Sequence, residues 1–354
     1  MDAPDGIPPG DVPHAAAAPD FNNLLAVLRR EKPKRPTLFE FFLNDPLYDR
    51  LAGDAAVADG DLRPHLTVIE AFQRAGYDYA SFLVPGFEFP QGDFHKEASR
   101  SLNEGALIHD RTSFEAYPWP DPHTADYAIL DRLAPHLPKG MKLIAFAPDG
   151  VLEIAMSLVG FENLCYLTVD DQDLAGDIFE AVGSRLVEFY RLCAAHDSVG
   201  AILSNDDWGF KSQTMLSPGA MRRLVFPWHK KIVETAHAVG KPAILHSCGC
   251  LNEVMDDIIE DMRYDGKHSY EDVIQPVESA YDQYHKRIAI LGGIDLDFLC
   301  RSTPEAVYQR SREMLARTER DGAYALGTGN SVPEYVPDEN FFAMIRAALD
   351  SRDP

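Results

Sequence analysis

Two residues apart in the segment His246-Ser247-Cys248-Gly249-Cys250 stand an imidazole and a thiol. At the end of a strand that spacing turns both side chains to one side. Imidazole plus thiolate is a borderline-soft pair suited to Zn²⁺. A second concentration of reactive groups is Asn205-Asp206-Asp207-Trp208-Gly209, where Asp206 or Asp207 could act as a base or an electrostatic partner. A third is Lys267-His268-Ser269-Tyr270-Glu271-Asp272, dense in ionisable side chains, with His268 and Glu271 as candidate proton carriers and Lys267 as a cation. Glu153 follows Pro148-Asp149-Gly150, and Gly327-Thr328-Gly329-Asn330-Ser331 could wrap amides around an anion. Each group also has a plainer reading: a capped strand end with inert thiols, a helix cap beside a surface carboxylate, a solvated charged loop, a tight turn.

What unites these segments is their position. Eight strand-like runs alternate with amphipathic helical patterns: Thr37–Phe42, Tyr79–Val84, Leu143–Ala147, Gly200–Ser204, Pro242–His246, Tyr264–His268, Ile288–Leu291 and Tyr324–Gly327. Every reactive segment above lies directly after one of them. Helices are expected over 62–75, 151–159, 170–196, 218–239, 251–261, 276–284, 304–318 and 338–349. Three of them start near Pro218, Pro276 and Pro304. Continuous apolar strands alternating with helices imply a parallel sheet buried on both faces. Eight such units favour a (β/α)8 TIM barrel, in which catalytic residues sit at the C-terminal ends of the strands. The expected organisation is an N-terminal tail over 1–20, flexible and rich in Pro and Ala, and one barrel over 21–354. A long insertion over 87–127 should follow the second strand.

Composition narrows the function classes. The chain has 354 residues, 45% hydrophobic and 25% charged, which is ordinary globular usage. Lys+Arg 33 against Asp+Glu 56 gives a formal charge of −23. A surface that acidic repels phosphate backbones and anionic membranes, so neither nucleic acid nor membrane is an expected partner. No run of about 20 apolar residues offers a membrane span. The first residues lack a basic start and an apolar core, and the five cysteines are odd in number and sparse, so reduced thiols in the cytoplasm are expected.

The run NDDWGFKSQTMLSPGAMRRLVFPWHKKIVETAHAVGKPAILHSCG, followed by LGGIDLDFL, STPEAV and GNSVPEYVPDENFFAMI, resembles the uroporphyrinogen decarboxylase superfamily. The likeness runs from about Arg35 to Leu349 and is strongest from Ser204 onward. It implies one (β/α)8 barrel. Decarboxylases of that superfamily carry an Arg-rich N-terminal segment, an Asp after the second strand and a late His. Here FEFFLNDPLYDR lacks the Arg pair, Val84-Pro85 takes the place of the Asp, and Thr328 takes that of the His. The other branch resembles cobalamin-dependent methyltransferases, whose His-x-Cys binds zinc together with a Cys after the eighth strand. His246 and Cys248 match the first part, and Thr328 replaces the last Cys.

The resemblance implies a zinc-assisted transfer of a methyl group between a small O- or S-methyl donor and a corrinoid, either free or on a partner protein. His246, Cys248 and Glu153 are the expected metal ligands, with Cys250, His268 and Glu271 as other candidates for the third. Asp206, Asp207, His268 and Glu271 are the expected proton-handling and orienting residues. Asn330 and Lys267 are expected cofactor contacts. A homodimer is a candidate assembly. Two other readings stand beside this one. One is a metal-free lyase that holds a small carboxylic acid through Lys211 or Lys267; the other is a non-catalytic metabolite-binding barrel.

Overall fold

The computed structural model describes residues 12–13, 15, 18–53, 60–92, 103 and 105–352. Seven strands form one sheet in chain order: β1 (Tyr79–Leu83), β2 (Lys142–Phe146), β3 (Val199–Asn205), β4 (Ala243–His246), β5 (Gly266–His268), β6 (Ala289–Leu291) and β7 (Tyr324–Ala325). The pairings β3–β4, β5–β6 and β6–β7 are parallel. Parallel strands that neighbour one another in sequence order, with helices between them, are the (β/α)-barrel pattern. The α/β barrel class expected from the sequence is the class observed. The chain divides into two compact units. One comprises Met1–Phe82, Arg132–Ile144 and Asp265–Pro354; the other comprises Leu83–Asp131 and Ala145–Tyr264.

The run expected as the first strand, Thr37–Phe42, is not a regular strand. It makes one parallel bridge, Leu38 to Leu326, flanked by hydrogen bonds from Phe39 N–H to Leu326 O and from Leu326 N–H to Thr37 O, each 2.8 Å. It therefore lies alongside the chain just after β7, as an eighth strand would. Pro36 precedes it and cannot donate to a ladder. The next residue on the facing segment must be Gly327, because a Cβ there would stand 1.7 Å from the Phe39 carbonyl oxygen.

The helix expected over 170–196 is Gln172–Ala194, and a separate helix, Phe161–Asp170, precedes it. Asp171 leaves the helical region (φ −138°) and caps Gln172–Ala194 through its side chain, accepting from Leu174 N–H. Two other expected helices change form. The pattern over 218–239 begins with Ser217 capping Ala220 N–H and then passes through a five-residue π turn, Met221–Val225. Phe226 N–H reaches back five residues to Met221 O, just ahead of Pro227, which has no N–H to offer. The segment 251–261 is a short 3₁₀ turn followed by a π turn rather than an α-helix. The helices Val151–Val159, Pro304–Thr318 and Asp338–Leu349 fall where the pattern puts them.

The expected insertion holds a helix, Arg111–Ala116, and an aromatic cluster in which Tyr117 and Trp119 meet at 4.6 Å. Phe87 stacks on Phe189 at 4.9 Å. Residues 93–102 and 104 of it lie outside the described residues. So does most of the expected tail, although Ala15 N–H bonds to Arg74 O and Asp20 N–H to the Asp78 carboxylate. Among the described residues no single helix is long and apolar enough to cross a membrane. The one helix pair that meets the length and composition test together, Val151–Val159 with Phe161–Asp170, is bent by 98°.

Candidate metal centre

The sheet pairing of β3 with β4 continues beyond both strands. Asn205 pairs with His246, Asp206 N–H donates to His246 O (3.0 Å), and Gly209 N–H donates to Cys248 O (3.1 Å). Cys250 N–H then donates to Phe210 O (2.7 Å) and Trp208 N–H to Ser247 Oγ (3.2 Å). The two loops cross at Gly249, which has a φ of +88°. A Cβ there would stand 2.1 Å from the Gly209 carbonyl oxygen. Glycine at this position is demanded twice, by conformation and by space.

That crossing sets Asp207 against the His-x-Cys pair. His246 Nε2 lies 3.7 Å from Cys248 Sγ and 3.9 Å from Asp207 Oδ1. Cys248 N–H donates to Asp207 Oδ1 at 2.8 Å, which fixes the carboxylate. Among the described residues, Asp207, His246 and Cys248 form the one group of three or more such side chains whose ligand atoms all fall within 4.8 Å of one another. Tetrahedral zinc with N, O and S ligands separates them by roughly 3.3–3.6 Å, so small side-chain shifts would complete the cage. One neutral imidazole, one thiolate and one carboxylate together carry two negative charges, which balance Zn²⁺, and leave a fourth position for substrate. The imidazole is buried while the Asp207 side chain is 36% exposed. The donor set fits zinc in chemistry and in scale.

Asp206 has a different task. It is fully buried, and its carboxylate accepts from Leu152 N–H (2.9 Å) and Glu153 N–H (2.9 Å) at the start of the Val151–Val159 helix. His229 Nε2 contacts Oδ2 at 2.9 Å. The helix N-terminus favours that negative charge. Gly150 allows the close approach, since a Cβ on it would stand 2.2 Å from Asp206 Cβ. Glu153, the third residue of this helix, was the carboxylate expected on the metal. The carboxylate that stands with His246 and Cys248 is instead Asp207. Glu153 Oε2 accepts from Gly150 N–H (3.3 Å). Burial, helped by the charges of Asp206, Asp207 and Asp149, pushes its pKa up to about 9, so it carries a proton at neutral pH.

Of the remaining expected residues, Lys267, His268, Glu271 and Asn330 belong to the other unit. His268 is fully buried, its Nε2 3.0 Å from Thr328 O, and burial pushes its pKa down to about 3. It is a neutral donor to a carbonyl. Lys267 Nζ donates to Ser269 O (2.7 Å) and sits 4.3 Å from the Tyr270 ring centroid. Glu271 is half-buried, and its carbonyl accepts from Ile274 N–H. Asn330 Oδ1 accepts from Ser331 N–H. Thr328, where the resemblance expects a ligand, is occupied by Glu40: its N–H donates to Glu40 Oε1 (2.7 Å), and its hydroxyl lies 2.6 Å from Oε2 and also against Asn330 O. Glu40 is fully buried, which pushes its pKa up to about 8. Residue spacing did not single out Glu40 or His229. The signal was present, however: a lone charge inside the apolar run TLFEFF, and a His on the face that also buries Ile232, Val233 and Ala236.

A family model described as Uroporphyrinogen decarboxylase (URO-D) matches residues 106–350. The chain belongs to the uroporphyrinogen decarboxylase family. Both loops of the candidate centre, and Glu153, lie inside that match. Within the curated proteins, the chain is 27% identical over 202 residues to a methylated-thiol–coenzyme M methyltransferase of Methanosarcina mazei. That alignment covers 57% of this chain and 51% of the relative, so the chain spans about half of that relative's length. A solved methyltransferase structure from the same organism superposes with a TM-score of 0.71 at 14% identity, covering 93% of this chain and 97% of that one. At that identity the superposition speaks for the fold.

Proposed function

We propose that this member of the uroporphyrinogen decarboxylase family is a cytoplasmic, zinc-assisted methyltransferase. It would move a methyl group between a small O- or S-methyl donor and a corrinoid, the latter free or carried on a partner protein. The observation that carries the reading is the grouping of Asp207, His246 and Cys248, whose ligand atoms all lie within 4.8 Å of one another. The methyltransferase named among the relatives supports it. His246, Cys248 and Asp207 would hold the metal. Zinc bound there would supply a Lewis acid for the donor's oxygen or sulfur, or lower the pKa of an acceptor thiol.

The protein's own groups do the rest. Transfer of a methyl cation to the corrinoid leaves the electron pair of the C–O or C–S bond on the donor heteroatom, which then takes up a proton. Glu153 holds a proton at its carboxyl and stands close enough to Asp207 to feel its charge. Asp207 orients through Cys248 N–H. The metal-free lyase needs a cation for a substrate carboxylate; of the two expected, Lys267 is buried and directed at the Ser269 carbonyl and the Tyr270 ring, and Lys211 is exposed.

Absorbance spectra of methylcobalamin with zinc-loaded protein and a panel of small thiols test the reading. Loss of the methyl–cobalt band, abolished in His246→Ala, is expected. An unchanged band across thiols, together with release of CO2 from small carboxylic acids, would move the weight to the lyase.

A further inference from the structure

We propose that His229 is a positioning residue for the metal and proton groups, acting through Asp206; this rests on reading Asp207, His246 and Cys248 as metal ligands. His229 sits on the helix Phe226–Ala238 and is fully buried. Its two ring nitrogens are both engaged. Nε2 lies 2.9 Å from Asp206 Oδ2, and Nδ1 lies 2.8 Å from the Tyr264 hydroxyl and 3.3 Å from Ser204 Oγ. Trp208 meets the ring edge-on at 4.7 Å.

The proton assignment follows from the partners. The Asp206 carboxylate only accepts, so Nε2 carries a hydrogen and donates it. Burial holds Tyr264 as a neutral phenol, its pKa raised well above the usual value, so its O–H can donate to Nδ1. One tautomer thus satisfies both ends, and the ring cannot turn without breaking two buried hydrogen bonds.

What Asp206 does with that support matters for function. Its two oxygens receive Leu152 N–H and Glu153 N–H as well as His229, so the carboxylate is a clamp and not a base. On one side it pins the first turn of the Val151–Val159 helix and with it the Glu153 acid. On the other, its own N–H is bonded to the His246 carbonyl, and its chain neighbour is Asp207. His229 therefore locks the backbone from which the carboxylate ligand, the imidazole ligand and the proton carrier all project. Supporting groups of this kind typically change metal affinity or activity by about 10- to 100-fold.

His229→Ala and His229→Gln test this, the glutamine amide offering a donor toward Asp206. In zinc-free protein, amide exchange at Leu152 and Glu153 should quicken by at least tenfold in His229→Ala and recover partly in His229→Gln. In zinc-loaded protein, chelator competition should show affinity weakened about 10- to 100-fold in His229→Ala, with kcat lowered and KM little changed, and the same partial rescue. If His229→Ala does not fold, His229→Gln and Asp206→Asn are judged on the same readouts. Unchanged exchange, or faster exchange with zinc affinity and kcat intact, overturns the positioning role. The exchange arm needs no metal, so it still reads the clamp if wild-type protein binds no zinc and the functional reading fails instead.

Discussion

Two polar clusters in this chain have opposite characters. Beyond β3 and β4, the side chains of Asp207, His246 and Cys248 face one another as donors around a point, with the Asp207 side chain 36% exposed. In the other unit, Glu40, Thr328, Lys267 and His268 are at least as rich in ionisable groups but close upon themselves. Glu40 meets Thr328, His268 meets the Thr328 carbonyl, and Lys267 meets the Ser269 carbonyl, all buried. A satisfied buried network fixes structure, whereas ligand atoms gathered at an accessible edge can take on a metal or substrate. Density of charged residues in the sequence does not distinguish the two; the partner of each group does.

The contrast predicts that substitutions in the first cluster reduce activity and those in the second reduce stability. Cys248→Ser should lower methyl transfer by about 10³-fold, the several kcal/mol a Lewis acid contributes, with little change in thermal midpoint. A comparable loss of midpoint would break the contrast.

Glu40 should reveal itself through pH. Its folded pKa of about 8 is above the unfolded value near 4.5. The folded state therefore binds the proton more tightly, and that stabilisation is complete at low pH and is lost as pH rises from about 4.5 to 8. Glu40→Gln keeps the neutral hydrogen-bonding pattern and removes the titration. Its urea midpoint relative to wild type should rise between pH 5 and pH 8.5, by a few kcal/mol in stability. His268 acts on the other limb: its folded pKa of about 3 lies below 6.5, so its stabilisation is present above pH 6.5 and lost as pH falls toward 3. His268→Gln should flatten that acid limb.

Most of the fold was legible because periodicity and proline punctuation are local signals. Val151–Val159 and Pro304–Thr318 needed nothing more. What failed was non-local or geometric. Thr37–Phe42 has strand composition, yet Pro36 precedes it and its ladder shrinks to a bridge. The spacing of His246 and Cys248 puts both side chains on one side, and their Nε2 and Sγ lie 3.7 Å apart. That Asp207 stands beside them was not legible from spacing, because it depends on two loops crossing at Gly249. Nothing local connects Glu40 with Thr328, which lie 288 positions apart. The smallest effect serves as a control outside both clusters. Thr303 caps the Pro304–Thr318 helix by accepting from Ala306 N–H, and Thr303→Ala should lower stability by about 1 kcal/mol in urea melts without touching activity.

In the function proposed above, Asp207 rather than Glu153 joins His246 and Cys248 on one zinc ion. Elemental analysis of zinc-supplemented, desalted protein tests it most directly. Wild type and Glu153→Gln should each carry close to one zinc per chain, while Cys248→Ser and Asp207→Asn should carry little. Wild-type protein well below one zinc per chain, or a Glu153→Gln variant that loses the metal while Asp207→Asn keeps it, would contradict the account.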